Sequence, residues 1–207
     1  MSIKITTLVE NSVYGKGLQG EHGLSLLVDT GEHRLLFDTG ASDLFIRNAR
    51  ILGIDLKEVD FLVLSHGHRD HTGGLHHFLA VNDKAQVVCK RELFRPKFKD
   101  ERENGVMQPD ALDSTRFRFV DEVTELCRGV FVFPQLPVTD EEDTHFEHFF
   151  TWTEGRKQAD TFTDELALAL KQGAEVSVLS ACSHRGITNI IRAVQEYFPQ
   201  TSLKLVL

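Results

Sequence analysis

The fold is decided by one stretch of the sequence, FLVLSHGHRDHTGG at residues 61–74. It opens with the apolar run Phe61 to Leu64, which is typical of a strand covered on both faces. Three histidines and an aspartate follow within the six residues 66–71. Because open α/β sheets place their chemistry at the carboxyl ends of strands, the stretch predicts a layered α/β sandwich with a functional site at this point.

The spacing of the polar residues in this stretch indicates a metal site. His66 and His68 are two residues apart, so in an extended segment they point the same way and can bind one ion, while Gly67 gives the backbone room to turn. Asp70 and His71 then emerge on a different side, where a second ion about 3.5–4 Å from the first is expected. Imidazole and carboxylate ligands suit zinc, and also iron or manganese.

The chain before and after this stretch supports an α/β arrangement. Alternating or apolar runs predict strands at residues 3–9, 24–29, 34–38 and 86–89. A helix is expected to start near Ser42 and to end at Gly53, and a shorter helix is expected at residues 72–82.

The second half of the chain has a weaker pattern. Residues 95–160 contain four of the five prolines and only short strand signals at 116–120 and 130–133, so we interpret them as a lid-like insertion or a partly mobile segment. Residues 166–170 and 175–179 predict a β-hairpin, with a helix over 164–171 as the competing interpretation. A helix at 187–198 and a strand at 203–207 complete one predicted domain over residues 1–207.

The composition excludes several classes of function. The 207 residues suffice for one domain or at most two small ones, and the net charge of −8 makes nucleic acid a poor partner. No apolar window approaches the ~18 residues of a membrane span. Three cysteines without C-x-x-C spacing favour a cytoplasmic location over a disulfide framework.

The loop resembles the H-x-H-x-D-H signature of the metallo-β-lactamase fold superfamily. Further segments resemble the subgroup of dihydropterin-ribofuranosyl-aminobenzene-phosphate synthase-like proteins among the metal-dependent hydrolases of β-lactamase superfamily II. These segments are residues 9–11, 20–25, 36–40, 164–168 and 182–187. The resemblance covers the chain except about 95–160 and implies a four-layer αββα sandwich.

The resemblance also implies a set of ligands. His66, His68 and His184 would bind one divalent ion, and Asp70 and His71 would bind the other, with zinc expected first and iron or manganese as alternatives. His184 follows a second predicted strand, which can end at the same rim as the first. Cys182 is a further candidate ligand as a thiolate, and a small buried residue at a strand end is the competing interpretation.

Three more residues are expected near the site. Asp38 ends a predicted strand and resembles the family's first-motif aspartate, which supports the metal loop without binding metal. It would also suit a turn before Gly40. Glu21 and His22 resemble a pair at the mouth of the site, where they would support the ligands or contact the substrate.

One departure from the family concerns the second ion. Relatives continue past the last strand into a Gly-Gly-x-His segment whose histidine is a ligand, whereas this sequence stops at Leu207. We therefore expect a C-terminally truncated sandwich, as a shortened product or a natural short form. Asp70 and His71 alone would hold the second ion weakly.

The predicted function is a metal-dependent hydrolase that uses a metal-activated water on a small phosphorylated or ester-type metabolite. Asp70 would orient the water or carry its proton. A non-catalytic metal-binding remnant and a pterin-pathway phosphoribosyl group-transfer synthase are the alternatives. The expected partner is a small-molecule substrate, with a homo-oligomer left open and with no nucleic acid and no membrane.

Overall fold

The computed structural model describes residues 3–106, 114–153 and 155–207. Its strands in chain order are β1 (Lys4–Val9), β2 (Ser25–Asp29), β3 (Arg34–Phe37), β4 (Phe61–Val63), β5 (Gln86–Cys89), β6 (Lys97–Lys99), β7 (Arg102–Glu103), β8 (Phe117–Phe119), β9 (Thr124–Cys127), β10 (Val130–Phe133), β11 (Phe149–Thr153), β12 (Arg156–Ala159), β13 (Ala167–Gln172), β14 (Glu175–Leu179) and β15 (Ser202–Val206). Its α-helices are α1 (Leu44–Ile51), α2 (Arg69–Thr72), α3 (Leu75–Val81) and α4 (Ile187–Tyr197).

Two sheets form the centre of the molecule. The first has the order β1-β2-β3-β4-β5-β8 and the second has the order β15-β14-β13-β10-β9. In the first sheet, β3, β4, β5 and β8 pair in parallel. Their carboxyl ends therefore meet at one edge, and the histidine-rich loop leaves β4 at that edge.

Alternation of apolar side chains creates four layers. In β3, Leu36 packs with Phe45 and Phe78 in the cluster under α1 and α3, whereas its neighbours Leu35 and Phe37 pack between the two sheets. The second sheet repeats this pattern, because its outer face packs against Ile190 and Val194 of α4. The predicted four-layer αββα sandwich is confirmed.

Two local expectations need correction. The helix expected at 72–82 is divided into α2 and α3 at Gly73 and Gly74. Both positions pass so close to the backbone of the segment before α1 that a side chain at either one would collide with it. The competing helix over 164–171 is wrong. Residues 167–172 form β13, which pairs with β10 and β14 because its alternation suits a strand buried on both faces.

Residues 95–160 contain more strand than their sequence pattern indicates. A third sheet has the order β12-β11-β6-β7, and β8, β9 and β10 extend the two central sheets. The third sheet pairs Phe150 of β11 with Phe98 of β6. Its strands are only two to five residues long, and β7 and β12 contain no large apolar residue, which is why they lack a clear strand signal. The role of this segment as a lid stays a prediction.

Among the described residues, no helix is long and apolar enough to cross a membrane.

Candidate metal centre

The histidine-rich loop is held tightly where it leaves β4. A side chain at Gly67 would meet the Leu93 carbonyl oxygen and would lie 2.8 Å from Lys97 Cε, so only glycine fits here. The Gly67 N–H donates to Asp164 Oδ2 at 2.7 Å. This contact fixes the turn that separates His66 from His68.

Three imidazoles converge at this point. His66, His68 and His184 each offer a ligand atom, and these atoms lie within 4.8 Å of one another. His66 Nε2 and His68 Nδ1 are 3.1 Å apart, close to the ~3.3 Å expected for two ligands of one tetrahedral zinc ion. His184 Nε2 is buried without a hydrogen-bond partner. An orphaned nitrogen of this kind fits a metal site.

Hydrogen bonds fix which nitrogens face the centre. The Ser65 hydroxyl donates its proton to Asp38 Oδ2 at 2.6 Å, so at 2.9 Å it must accept from His66 Nδ1. His184 Nδ1 donates to the His145 carbonyl oxygen at 3.0 Å. In both rings the Nε2 lone pair is therefore available to an ion, because the other nitrogen holds the proton.

Burial keeps these imidazoles neutral. Together with the nearby charge of Lys97, it lowers the pKa of His68 to about 2 and that of His184 to about 4. Burial also lowers the pKa of His66 well below its usual value. Neutral imidazole is the form that binds metal, so the cluster needs no deprotonation at neutral pH.

A second group lies beside the first. Ligand atoms of His66, His71 and Cys182 also lie within 4.8 Å of one another. His71 Nε2 is 3.1 Å from Cys182 Sγ and 3.4 Å from Asp70 Oδ2. Burial opposes ionisation of Asp70, but the hydrogen bond and charge of His71 together with the charge of His68 outweigh it and lower the Asp70 pKa to about 2. An imidazole, a thiolate and a carboxylate are suitable donors for a second divalent ion.

Asp38 links the two groups. Its Oδ2 accepts from His71 Nδ1 at 2.7 Å and from the Ser65 hydroxyl, and its Oδ1 accepts from the Ser65 N–H at 2.7 Å. Burial alone would lower the pKa of His71, but the Asp38 carboxylate outweighs it and raises that pKa well above the usual value. Asp38 has φ of 61°, a left-handed conformation that aspartate tolerates better than most residues.

The two remaining predicted residues differ in their placement. His22 Nε2 lies 3.4 Å from Asp70 Oδ2, so this exposed side chain stands at the outer side of the second group. Glu21 accepts from the backbone N–H groups of Ala41 and Ser42 and from the Ser42 hydroxyl. Its hydrogen bonds therefore anchor the loop ahead of α1.

Aromatic rings cover the first group on the side of residues 146–162. Phe162 stacks on His184 with ring centroids 3.7 Å apart and planes 9° from parallel. Phe149 lies 4.9 Å from the His68 ring and 5.0 Å from the His184 ring. Sequence reasoning missed both rings, because no local pattern connects them to histidines so distant in the chain.

Two acidic residues outside the expected set also position the site. Asp164 accepts from Gly67 and pairs with the buried Lys97 Nζ at 2.8 Å. Glu165 accepts from the N–H of His184 at 2.8 Å and from that of Arg185 at 2.7 Å. Burial raises the pKa of Glu165 to about 7. The sequence signal that could have identified Asp164 and Glu165 is their position as two adjacent acids directly before an apolar strand.

Comparison with known proteins is consistent with this geometry. A family model described as the metallo-beta-lactamase superfamily matches residues 18–163. A protein of Methanocaldococcus jannaschii named 7,8-dihydropterin-6-methyl-4-(beta-D-ribofuranosyl)-aminobenzene-5'-phosphate synthase is 29% identical over 92% of this chain and 71% of its own length.

Solved structures extend the comparison. Tm1679, described as a metal-dependent hydrolase of the beta-lactamase superfamily, is 32% identical with a TM-score of 0.83, covering 99% of this chain and 75% of its own. A quorum-quenching N-acyl homoserine lactone lactonase is 14% identical with a TM-score of 0.53, covering 88% of this chain and 78% of its own. The second likeness concerns the fold alone.

Proposed function

This chain belongs to the metallo-beta-lactamase superfamily, and we propose on that basis that it is a metal-dependent hydrolase of a small phosphorylated or ester-type metabolite. The observation that carries the proposal is the convergence of His66, His68 and His184, whose ligand atoms lie within 4.8 Å of one another and include the buried, unpartnered Nε2 of His184. The likeness to Tm1679 supports the reaction class. The proposed cofactors are two divalent ions, zinc first, with iron or manganese as alternatives.

The proposed ligands divide between the two groups. His66, His68 and His184 would hold one ion, and Asp70, His71 and Cys182 would hold the other. Bound divalent ions supply Lewis acidity, which lowers the pKa of water to about 7 and stabilises developing negative charge.

The chain's own residues would orient the reaction. Asp38 fixes His71 directly and His66 through Ser65, so both groups keep their geometry while substrate binds. The ionised Asp70 carboxylate can accept a proton at Oδ2 and return it to a leaving group. Phe149 and Phe162 exclude water from one side of His184, which strengthens electrostatic interactions there.

A group-transfer synthase is the second candidate. It is supported by the Methanocaldococcus jannaschii relative, whose name describes synthesis of a phosphorylated ribofuranosyl-aminobenzene pterin. The same electrophilic centre could assist departure of a group from a phosphoribosyl carbon. In that reaction an aromatic acceptor, and not water, would form the new bond to this carbon as the group departs.

Metal analysis combined with turnover assays tests both candidates. Purified chain should contain close to two ions, and a panel of phosphodiesters, lactones and thioesters should reveal hydrolysis that is lost in the His68→Ala variant. The matched control is His76→Ala, which removes an exposed histidine from α3. Turnover only with a phosphoribosyl donor and an aminobenzoate acceptor would favour the synthase. One ion and no turnover on either panel would contradict both and favour a metal-binding remnant.

A further inference from the structure

A cavity with a cationic lining lies next to the metal centre. It has a volume of about 360 Å³ and lies between the segment after β5 and the segment after β10. We call it the Lys90 cavity. Its walls are formed by Lys90, Pro134, Gln135, Leu136, Pro137, Thr163, Glu165 and Arg185.

Two cations of this cavity have no acidic partner. Lys90 Nζ donates to the Pro134 carbonyl oxygen at 2.9 Å. Arg185 donates from Nε to the Leu136 carbonyl oxygen and from Nη1 to that of Thr161. Among the described residues, no carboxylate oxygen lies within 4.0 Å of the charged nitrogens of Lys90 or Arg185, so neither side chain forms an ion pair. The backbone carbonyls orient both cations without neutralising them.

Partial burial makes these charges costly. Desolvation lowers the pKa of Lys90, and the charge of Arg185 lowers it further against the opposing effect of Glu92 and Asp164. Arg185 is also half-buried. An anion in the cavity would restore the lost solvation of both cations, so it would be stabilised there.

Further donors line the same space. The Thr163 hydroxyl accepts from Arg95 Nη1 at 3.2 Å, so its own proton is free to donate. Gln135 adds a side-chain amide to the wall. Glu165 is the acidic group of the lining; its oxygens accept from the N–H groups of residues 184 and 185, and burial raises its pKa to about 7, which reduces its negative charge near neutral pH.

We propose that the Lys90 cavity is a binding site for a phosphate group. A phosphate has several acceptor oxygens and up to two negative charges, which match a lysine, an arginine, a hydroxyl and an amide better than a single carboxylate does. The volume exceeds that of a phosphate group, so part of a phosphate monoester fits as well. The inference does not depend on the proposed hydrolysis, because these residues are not among the metal ligands.

The cavity shares a wall with the metal centre. Glu165 lines the cavity and accepts from the N–H of His184, whose ring belongs to the three-histidine group. Arg185 is the next residue in the chain. A phosphate held here would therefore lie beside the metal centre, on the far side of the His184 backbone.

Titration followed by ³¹P NMR tests the site on the full metal-loaded chain. The probes are inorganic phosphate and glycerol 1-phosphate. We expect Lys90→Met to weaken phosphate binding about tenfold through loss of one charge-assisted contact, and Lys90→Arg to retain it. Lys171→Met is the matched control, because Lys171 also donates to a backbone carbonyl and also lines a cavity, one of about 380 Å³. It should leave phosphate binding unchanged.

Two more variants distinguish phosphate binding in the cavity from phosphate binding at the metal centre. His68→Ala removes a metal ligand, so retained phosphate binding in this variant supports the cavity. If phosphate binding is lost in His68→Ala and kept in Lys90→Met, the proposal is overturned. Equal weakening by Lys90→Met and Lys171→Met would also overturn it, as would no binding at all. Thr163→Val removes one hydroxyl and should weaken binding even if Lys90→Met does not fold. Tighter binding of glycerol 1-phosphate would identify a phosphorylated metabolite as the ligand, and equal binding would identify free phosphate; both support the site.

Discussion

Replacing Lys97 with methionine tests the buried charge cluster behind the metal loop. Lys97 Nζ lies 2.7 Å from Asp160 Oδ2 and 2.8 Å from Asp164 Oδ1, with the three side chains 2%, 4% and 1% exposed. Burial opposes the charged ammonium, but the two carboxylates outweigh it and raise the pKa of Lys97. Methionine keeps the apolar stem and leaves both carboxylates without a cation. We therefore expect a large loss of stability.

The magnitude follows from burial. Removing one partner of a buried ion pair costs about 3–5 kcal/mol in the free energy of unfolding. In a chain of this size ~1 kcal/mol shifts the Tm by about 2–4 °C, so the Tm should fall by roughly 6–20 °C.

Lys84 offers a matched control. Its Nζ also lies between two carboxylates, 3.7 Å from Glu58 Oε2 and 3.3 Å from Asp60 Oδ1, but its side chain is 46% exposed. Exposed ion pairs contribute about 0–1 kcal/mol. Lys84→Met should therefore lower the Tm by at most about 4 °C. Thermal unfolding followed by circular dichroism measures both variants, in chelator-treated protein so that differences in metal binding do not contribute.

The deficit of Lys97→Met should also depend on pH. Burial raises the pKa of Asp164, while the charge and hydrogen bond of Lys97 lower it, so the variant should raise it further. A carboxyl with a raised folded-state pKa stabilises the fold below its unfolded-state pKa and loses that contribution as the pH rises through the folded value. The Tm difference from wild type should therefore shrink as the pH falls from neutrality toward the ordinary pKa of a carboxyl group. Equal Tm losses for the Lys97 and Lys84 variants, or a deficit independent of pH, would refute the reasoning.

Three further predictions concern the metal centre. His68→Ala should lose at least one ion per chain by elemental analysis while His76→Ala keeps wild-type content, and unchanged content in the first would contradict the ligand assignment. Asp38→Asn should lower metal affinity by about 10–100-fold in competition with a chromogenic chelator, because it disturbs the partner of His71; an affinity equal to wild type would argue against its positioning role. At about pH 8 an aromatic disulfide reagent should modify the exposed Cys182 faster than Cys89, whose thiol pKa is raised to about 12 by burial. Zinc should slow the reaction of Cys182, and identical rates with and without zinc would exclude it as a ligand.

Local patterns predicted much of the fold. The apolar runs of β3, β4 and β5 and the helical spacing of α4 are visible in single windows, because burial on one or both faces imposes a period on the sequence. The strands β6, β7, β11 and β12 are two to five residues long, too short to show a period in the sequence. Their pairing depends on distant partners, such as Phe98 with Phe150, and no window contains both.

The residues of the site also divide into those that local spacing predicts and those that it does not. His66 and His68 are two residues apart, so their common direction follows from the backbone alone. The proton on His184 Nδ1 depends on a carbonyl oxygen 39 residues away. The stacking of Phe162 on His184 likewise needs the assembled fold, with Phe162 held at φ of 51°. Sequence spacing predicts such residues only where they are neighbours in the chain.

The histidines of the metal centre come from parts of the chain that are synthesised far apart in time. Along the chain, Cys182 is 111 residues from His71, and Asp164 is 97 residues from Gly67, whose N–H donates to it. The first hundred residues contain the H-x-H loop and Asp38, but not Asp164, which accepts from the Gly67 N–H, nor His184, the third imidazole. Contacts of such separation need both halves of the chain, and long-range pairing slows folding. The proposed three-histidine site would therefore be complete only after residue 184 has been synthesised and has reached the first sheet.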